Sequence, residues 1–142
     1  ISPITYIFLH GSWLHVAMNT IMMAAFGSGI ERWIGPRRMA IYFFLCGLCG
    51  IGLQFALSMH SPYPVIGASG SLSGLFAAAI VMLNRGRGEM GGRFGMLPFI
   101  LLWIGITIGF GMIGSPDGHD IAWAAHLGGF LGGFLILKLM RI

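Results

Sequence analysis

Ser69 and His126 are the residues of this chain best suited to covalent chemistry. Ser69 lies in GASGSLSG, Gly67 to Gly74, where three glycines and three serines fall within eight residues. That stretch opens the apolar run Val65–Leu83, in which a hydroxyl is costly unless it is hydrogen-bonded. His126 lies in AAHLGGFLGG. An imidazole beside a serine hydroxyl can take its proton and turn a weak nucleophile into a strong one. A second pair, His15 and Asn19 in HGSWLHVAMN, is spaced four apart and so shares one helix face. Both side chains are expensive in hydrocarbon, and both can donate to a developing oxyanion. The chemistry these four types describe together is acyl transfer, with Ser69 as nucleophile, His126 as base, and His15, Asn19 and the Ser69 N–H as oxyanion donors. The alternative for His15 and Asn19 is an interhelical hydrogen bond that only holds helices together.

The surrounding elements must be membrane helices. Of 142 residues, 56% are hydrophobic and 8% charged, and the mean hydropathy is +0.86. A soluble domain carries about 25% charged residues. Five stretches approach the roughly 20 apolar residues that a span needs: Leu9–Gly29, Met39–Met59, Val65–Leu83, Phe94–Ile113 and Ile121–Met140. They fill residues 1–142 as one all-α, polytopic domain. The chain starts at Ile1 with no initiator Met and no charged n-region, and it is read as part of a longer protein.

With short connections and antiparallel neighbours, all eight basic residues fall on one side. They are Arg32, Arg37, Arg38, Arg85, Arg87, Arg93, Lys138 and Arg141. That side is cytoplasmic by the positive-inside rule. The opposite connections, Ser61–Pro64 and Gly114–Asp120, carry only Asp117 and Asp120. The net charge of +4 therefore orients the protein in a bilayer and does not point to nucleic acid. His10, His60 and His119 are read as residues of the outer water interface, whereas His15 and His126 lie deeper.

Gly129 and Gly133 follow His126 at i+3 and i+7, and a glycine stripe lets another helix approach closely. Gly70 and Gly74, with Ser69 and Ser73, give the third span a matching small face. The third and fifth spans are therefore predicted to pack backbone to backbone, bringing His126 within hydrogen-bond reach of Ser69. Ala77 is read as lying away from that level. Cys46 and Cys49 sit three apart inside an apolar run and read as buried thiols, since a redox pair needs a helix N-terminus and a polar approach. Two cysteines cannot make a zinc site, and neither G-x-S-x-G nor H-E-x-x-H is present. No cofactor is expected.

These motifs resemble the rhomboid intramembrane serine proteases over nearly the whole chain. GASG with Ser69 is similar to the family's nucleophile motif, AHLGGFLGG with His126 to its base helix, and HVAMN to its oxyanion pair. GSGIERWIG, with Gly27, Gly29 and Glu31, resembles its G-x-x-E-x-x-x-G. The resemblance implies a Ser–His dyad without an acidic third member, which leaves Asp117 and Asp120 as loop residues. It also implies a six-helix core whose first helix and following loop precede this chain. Some relatives carry an aromatic four residues past the nucleophile, stacked on the base; here that position is Ser73.

The reading that follows is a serine endopeptidase of a bacterial-type plasma membrane, with its site towards the extracytoplasmic side. Its partners are the bilayer and transmembrane protein substrates, whose helices unwind locally at a small residue. Gly67, Gly70, Gly74, Gly129 and Gly133 serve close packing, Ser71 and Ser73 serve packing or hydration, and Phe94–Ile113 with Gly114–Asp120 forms gate and lid. Two rivals remain. An inactive relative that binds transmembrane helices would need neither Ser69 nor His126. A transporter or channel would show a charge or a broken helix at mid-membrane.

Overall fold

The computed structural model describes residues 3–57, 65–86, 97–113 and 122–142. It contains helices and, among the described residues, no strand. A short 3-10 turn, Thr5–Phe8, precedes α1, Trp13–Met22. Ser12 caps α1, its side chain accepting the His15 N–H at 3.1 Å. This is why the helix starts at Trp13 and not at Leu9: the cap satisfies one of the orphan donors of the first turn. The rod continues through a π-helical turn, Met23–Gly27, into α2, Ser28–Ile34. It ends at Gly35 because that residue takes φ +86°, a left-handed geometry natural only to glycine. Its N–H closes on the Glu31 carbonyl at 2.8 Å.

Pro36 then opens α3, Pro36–Leu57, in the first-turn position where a missing N–H does no harm. The remaining helices are α4, Ser69–Gly86, α5, Leu97–Ile113, and α6, Trp123–Leu139. With α1 to α2 counted as one rod, the five helices match the five expected spans to within a few residues at each end. Among the described residues, α3 is the one helix long and apolar enough to cross a membrane by that criterion alone, with a mean hydropathy of 2.0. At 17 residues each, α5 and α6 sit at the short end of the spanning range of about 17–25.

The core is a three-helix unit in which α3 runs antiparallel to α4 and α6. Gly50 of α3 lies level with Gly70 of α4 and the Ala125 carbonyl of α6. Further along, the Cys46 thiol packs on Gly74 and the Cys49 thiol on Gly132. Both cysteines are free, and each sulfur fills the hollow left by a glycine. Tyr42 closes this unit, donating its hydroxyl hydrogen to the Gly74 carbonyl at 2.6 Å. Large apolar side chains point outward, among them Trp13, Met18 and Ile21 on α1, Phe44 and Phe55 on α3, and Leu131, Leu135 and Leu139 on α6. That is the surface a lipid solvent accepts.

The described basic residues collect at one end. The Arg85 guanidinium stands 5.8 Å from the centre of the Trp33 ring, so the C-terminal ends of α2 and α4 meet. Arg32, Arg37 and Arg38 flank Gly35 at the same end, and Lys138 and Arg141 close α6, which runs parallel to α4. Arg87, Arg93, Asp117, Asp120, His60 and His119 lie outside the described residues, as do both connections assigned to the opposite side.

Tyr42→Phe removes the donor to Gly74 and leaves the ring. A side-chain hydrogen bond inside a membrane protein is worth about 0.6 kcal/mol on average and up to about 1.7. Reversible unfolding in mixed micelles should show a loss within that range, with unchanged helical content.

Candidate active site

Ser69 is the first residue of α4 and is half-buried. Its backbone N–H therefore belongs to the first turn, where donors lack intrahelical partners. Gly67 lies two residues earlier with φ +100°, a turn that a side chain would strain. A Cβ there would also press on the His15 ring, 2.6 Å from both Cε1 and Nε2, and would lie 3.5 Å from the Asn19 amide nitrogen. The His15 imidazole and the Asn19 amide thus lie directly against the strand of backbone that leads into Ser69. Asn19 is buried, at 8% exposure.

His126 lies in the first turn of α6 and is half-buried. Its neighbour Ala125 presents a carbonyl 3.3 Å from where a Cβ on Gly70 would stand. One turn on, a Cβ on Gly129 would collide with the Gly70 carbonyl and come within 2.6 Å of its carbon. Gly133 in turn lies against Gly74, with a Cβ there only 3.0 Å from the Gly74 Cα. The first turns of α4 and α6 are therefore in backbone contact, and Ser69 and His126 each adjoin a residue of that contact. Ala77 belongs to the same seam: it is fully buried, and its Cβ would be 3.1 Å from one on Gly133. It lies away from the level of Ser69 and His126, about two turns along both helices, yet on the same seam.

Of the two further serines, Ser73 donates to the carbonyl of Ser69 at 2.8 Å, a bond within its own helix. Ser71 is fully buried against Gly47, and its Oγ has no hydrogen-bond partner among the described residues.

Three further polar side chains meet these segments, and the sequence pattern assigned none of them to the site. The Tyr6 carbonyl accepts the Gly67 N–H at 2.9 Å, and the Tyr6 hydroxyl donates to the Gly47 carbonyl at 2.8 Å. Tyr6 thereby ties the turn before Ser69 to α3. Burial pushes its phenol up to about 12, so the donor stays protonated at any working pH. Gln54, a lone amide in an apolar span, accepts the Ala125 N–H at 3.2 Å. Ala122 at the α6 N-cap has no side chain able to do this, so α3 supplies the cap. The third is His10, whose Nε2 lies 2.8 Å from the Asn19 amide nitrogen. His10, expected at the water interface, is half-buried just before α1, and its ring meets that of His15 edge-on, with centroids 4.9 Å apart. Its position before the cap of α1 let the chain fold it back.

The family profile described as "Rhomboid domain" matches residues 1–141. The chain is 32% identical over 131 residues to the "Rhomboid protease GluP" of Bacillus subtilis, covering 92% of this chain and 24% of that protein. It is 28% identical over 144 residues to "RHOMBOID-like protein 7" of Arabidopsis thaliana, covering 98% and 42%. Against the "Rhomboid-type serine protease 2" of Emericella nidulans it is 27% identical over 137 residues, covering 94% and 26%. The chain spans less than half the length of each of these relatives.

Gly129→Ala places a methyl on the Gly70 carbonyl and must push α6 away from α4. A displacement near 1 Å can lower a rate by about 10²-fold. Labelling of Ser69 by a fluorophosphonate should fall by that order, whereas Leu131→Ala, on the outward face of α6, should label at the wild-type rate.

Proposed function

The chain belongs to the rhomboid family and is a membrane protein, and from that membership we propose that it hydrolyses peptide bonds within transmembrane helices. The observation that carries this reading is the backbone contact of α4 with α6 through Gly70, Ala125 and Gly129. It brings the segments bearing Ser69 and His126 side by side, while His15 and Asn19 lie against the turn that leads into Ser69.

In this reading the Ser69 Oγ attacks the scissile carbonyl as His126 accepts its proton. The C–O bond to serine forms, and the carbonyl oxygen takes the negative charge. The Ser69 N–H, Asn19 and His15 donate to that oxygen. His126 then passes its proton to the leaving amine as the C–N bond breaks. A water molecule, deprotonated by His126, releases the acyl group and regenerates the serine. No acidic third residue and no cofactor take part.

The site lies at the end of the bundle opposite Arg32, Arg37, Arg38, Arg85, Lys138 and Arg141. By the positive-inside rule it opens towards the extracytoplasmic side, in the outer leaflet of a bacterial-type plasma membrane. Substrate helices would enter beside α5. That helix rests on the bundle through Ile100, Trp103 and Ile104 against Phe76, Phe130 and Phe134, side chains that can part without breaking a backbone contact. The loop expected to serve as a lid lies outside the described residues.

Ser69→Ala and His126→Ala should each abolish cleavage of a reporter with a single transmembrane helix, with the detergent-solubilised yield unchanged. Full activity in either folded variant would overturn the dyad. Asn19→Ala should lower kcat by about 10²–10³ with little change in KM. A raised KM alone would remove Asn19 from the oxyanion site.

A further inference from the structure

His10 stands between the 3-10 turn and α1, and nothing in the mechanism above uses it. Its contacts define one protonation form. The Asn19 Nδ2 lies 2.8 Å from His10 Nε2. An amide nitrogen has only hydrogens to offer, so Nε2 must accept. The neutral ring then carries its hydrogen on Nδ1, and Nδ1 faces the Phe8 carbonyl at 3.3 Å. One tautomer satisfies both ends of this chain of bonds.

The same Asn19 nitrogen is the atom turned towards Gly67, 3.5 Å from the position of a Cβ there. It has two N–H groups. One is committed to His10, and the other is left on the side of the turn that leads into Ser69. The amide torsion of asparagine is broad and roughly two-fold, so an unheld Asn19 can rotate or present Oδ1 in place of Nδ2. An oxygen in that position would repel an oxyanion. A cleft of about 260 Å³ borders His10 and Asn19, and Val16, Thr20, Phe43 and Leu72 line its walls. It leaves the amide room to turn if His10 is removed.

We propose that His10 is a positioning residue that fixes the Asn19 amide with an N–H aimed at the oxyanion site. His10 touches no reacting atom. The proposal rests on the reading that Asn19 donates to the oxyanion, and its test separates the two.

Turnover of a labelled single-helix substrate is measured with the full chain reconstituted in liposomes, for His10→Leu, His10→Gln, Asn19→Ala and the double variant His10→Leu/Asn19→Ala. His10→Leu should lower kcat by up to about 10²-fold, the scale of a misplaced group, with KM close to wild type. His10→Gln presents an amide oxygen where Nε2 stood and should restore most of that loss. The double variant should be no slower than Asn19→Ala, because two residues that act as one unit are not additive. If Asn19→Ala lowers kcat but His10→Leu does not, or if the two losses multiply in the double variant, the positioning role is overturned. It is also overturned if His10→Gln is as slow as His10→Leu. If Asn19→Ala itself leaves kcat unchanged, the oxyanion reading fails and the positioning role fails with it. Should His10→Leu not fold, His10→Gln decides alone: a kcat as low as that of Asn19→Ala overturns the proposal, and one near wild type supports it.

Discussion

The contact between the backbones of Gly70 and Gly129 is the constraint on which the rest of this molecule depends. Lipid gives two apolar helices no hydrophobic reason to associate, so their attraction comes from close packing and hydrogen bonds. Packing improves as the backbones approach, and the approach here is limited only by main-chain atoms. The seam also sets register. Once Gly129 is seated on Gly70, Gly133 falls on Gly74, and Ala125 falls between Gly70 and Gly50. A shift of one residue would turn these glycines away from one another and drive side chains into the gap. The same seating that holds the bundle together thus sets the level of the residues flanking Ser69 and His126.

Polar groups inside the bundle reinforce this seam. Tyr42 spans from α3 to the Gly74 carbonyl, Gln54 from α3 to the first turn of α6, and Tyr6 from the leading turn to Gly47. Each gives a side-chain polar group inside the bundle a partner away from water. Each also ends on backbone next to the seam, so the helix termini carrying Ser69 and His126 are pinned from α3. At the start of α6 the Ala125 N–H is shared, between the Ala122 carbonyl at 2.9 Å and the Gln54 amide oxygen at 3.2 Å, so α3 adds a side-chain acceptor where Ala122 has only a methyl group.

Much of this was legible in the sequence, and the reasons are physical. Apolar runs of about 20 residues have one meaning in a chain with so few charges, so the helices were readable with their ends off by a few residues. Basic residues cannot sit in hydrocarbon, so the polarity of the bundle was readable too. Glycines at i+3 and i+7 after His126 marked the face of α6 that meets α4. What the pattern could not carry was contact made by chain that folds back. His10 precedes the cap of α1, and no periodicity relates it to Asn19; the 3-10 turn at Thr5–Phe8 creates the meeting. Tyr6 lacked a signal for the same reason. Gln54 did have one, as a lone amide in an apolar span, but its partner is a backbone N–H that no side-chain pattern records. Ala77 was placed correctly by level, but its burial on the seam was not legible, because alanine suits lipid-facing and buried surfaces alike and only the seating of Gly133 decides between them.

The bundle joins its helices by two different kinds of contact, and the difference bears on access. Between α3, α4 and α6 the contacts are backbone on backbone and hydroxyl on carbonyl, short-range and without slack. Between α5 and the others they are aromatic: Trp103 of α5 meets Phe76 of α4 at 4.6 Å and Phe130 of α6 at 6.0 Å. Ring pairs tolerate a range of offsets and tilts at similar energy, whereas a glycine seam loses its packing over a fraction of an ångström. Displacement of α5 can therefore open the side of the bundle while Gly70 and Gly129 stay seated. The proposed activity, which admits a helix from the bilayer, calls for a rigid seam beside Ser69 and His126 and a yielding wall in the same small structure. Here the two properties come from different residue types, glycine at the seam and aromatics at the wall.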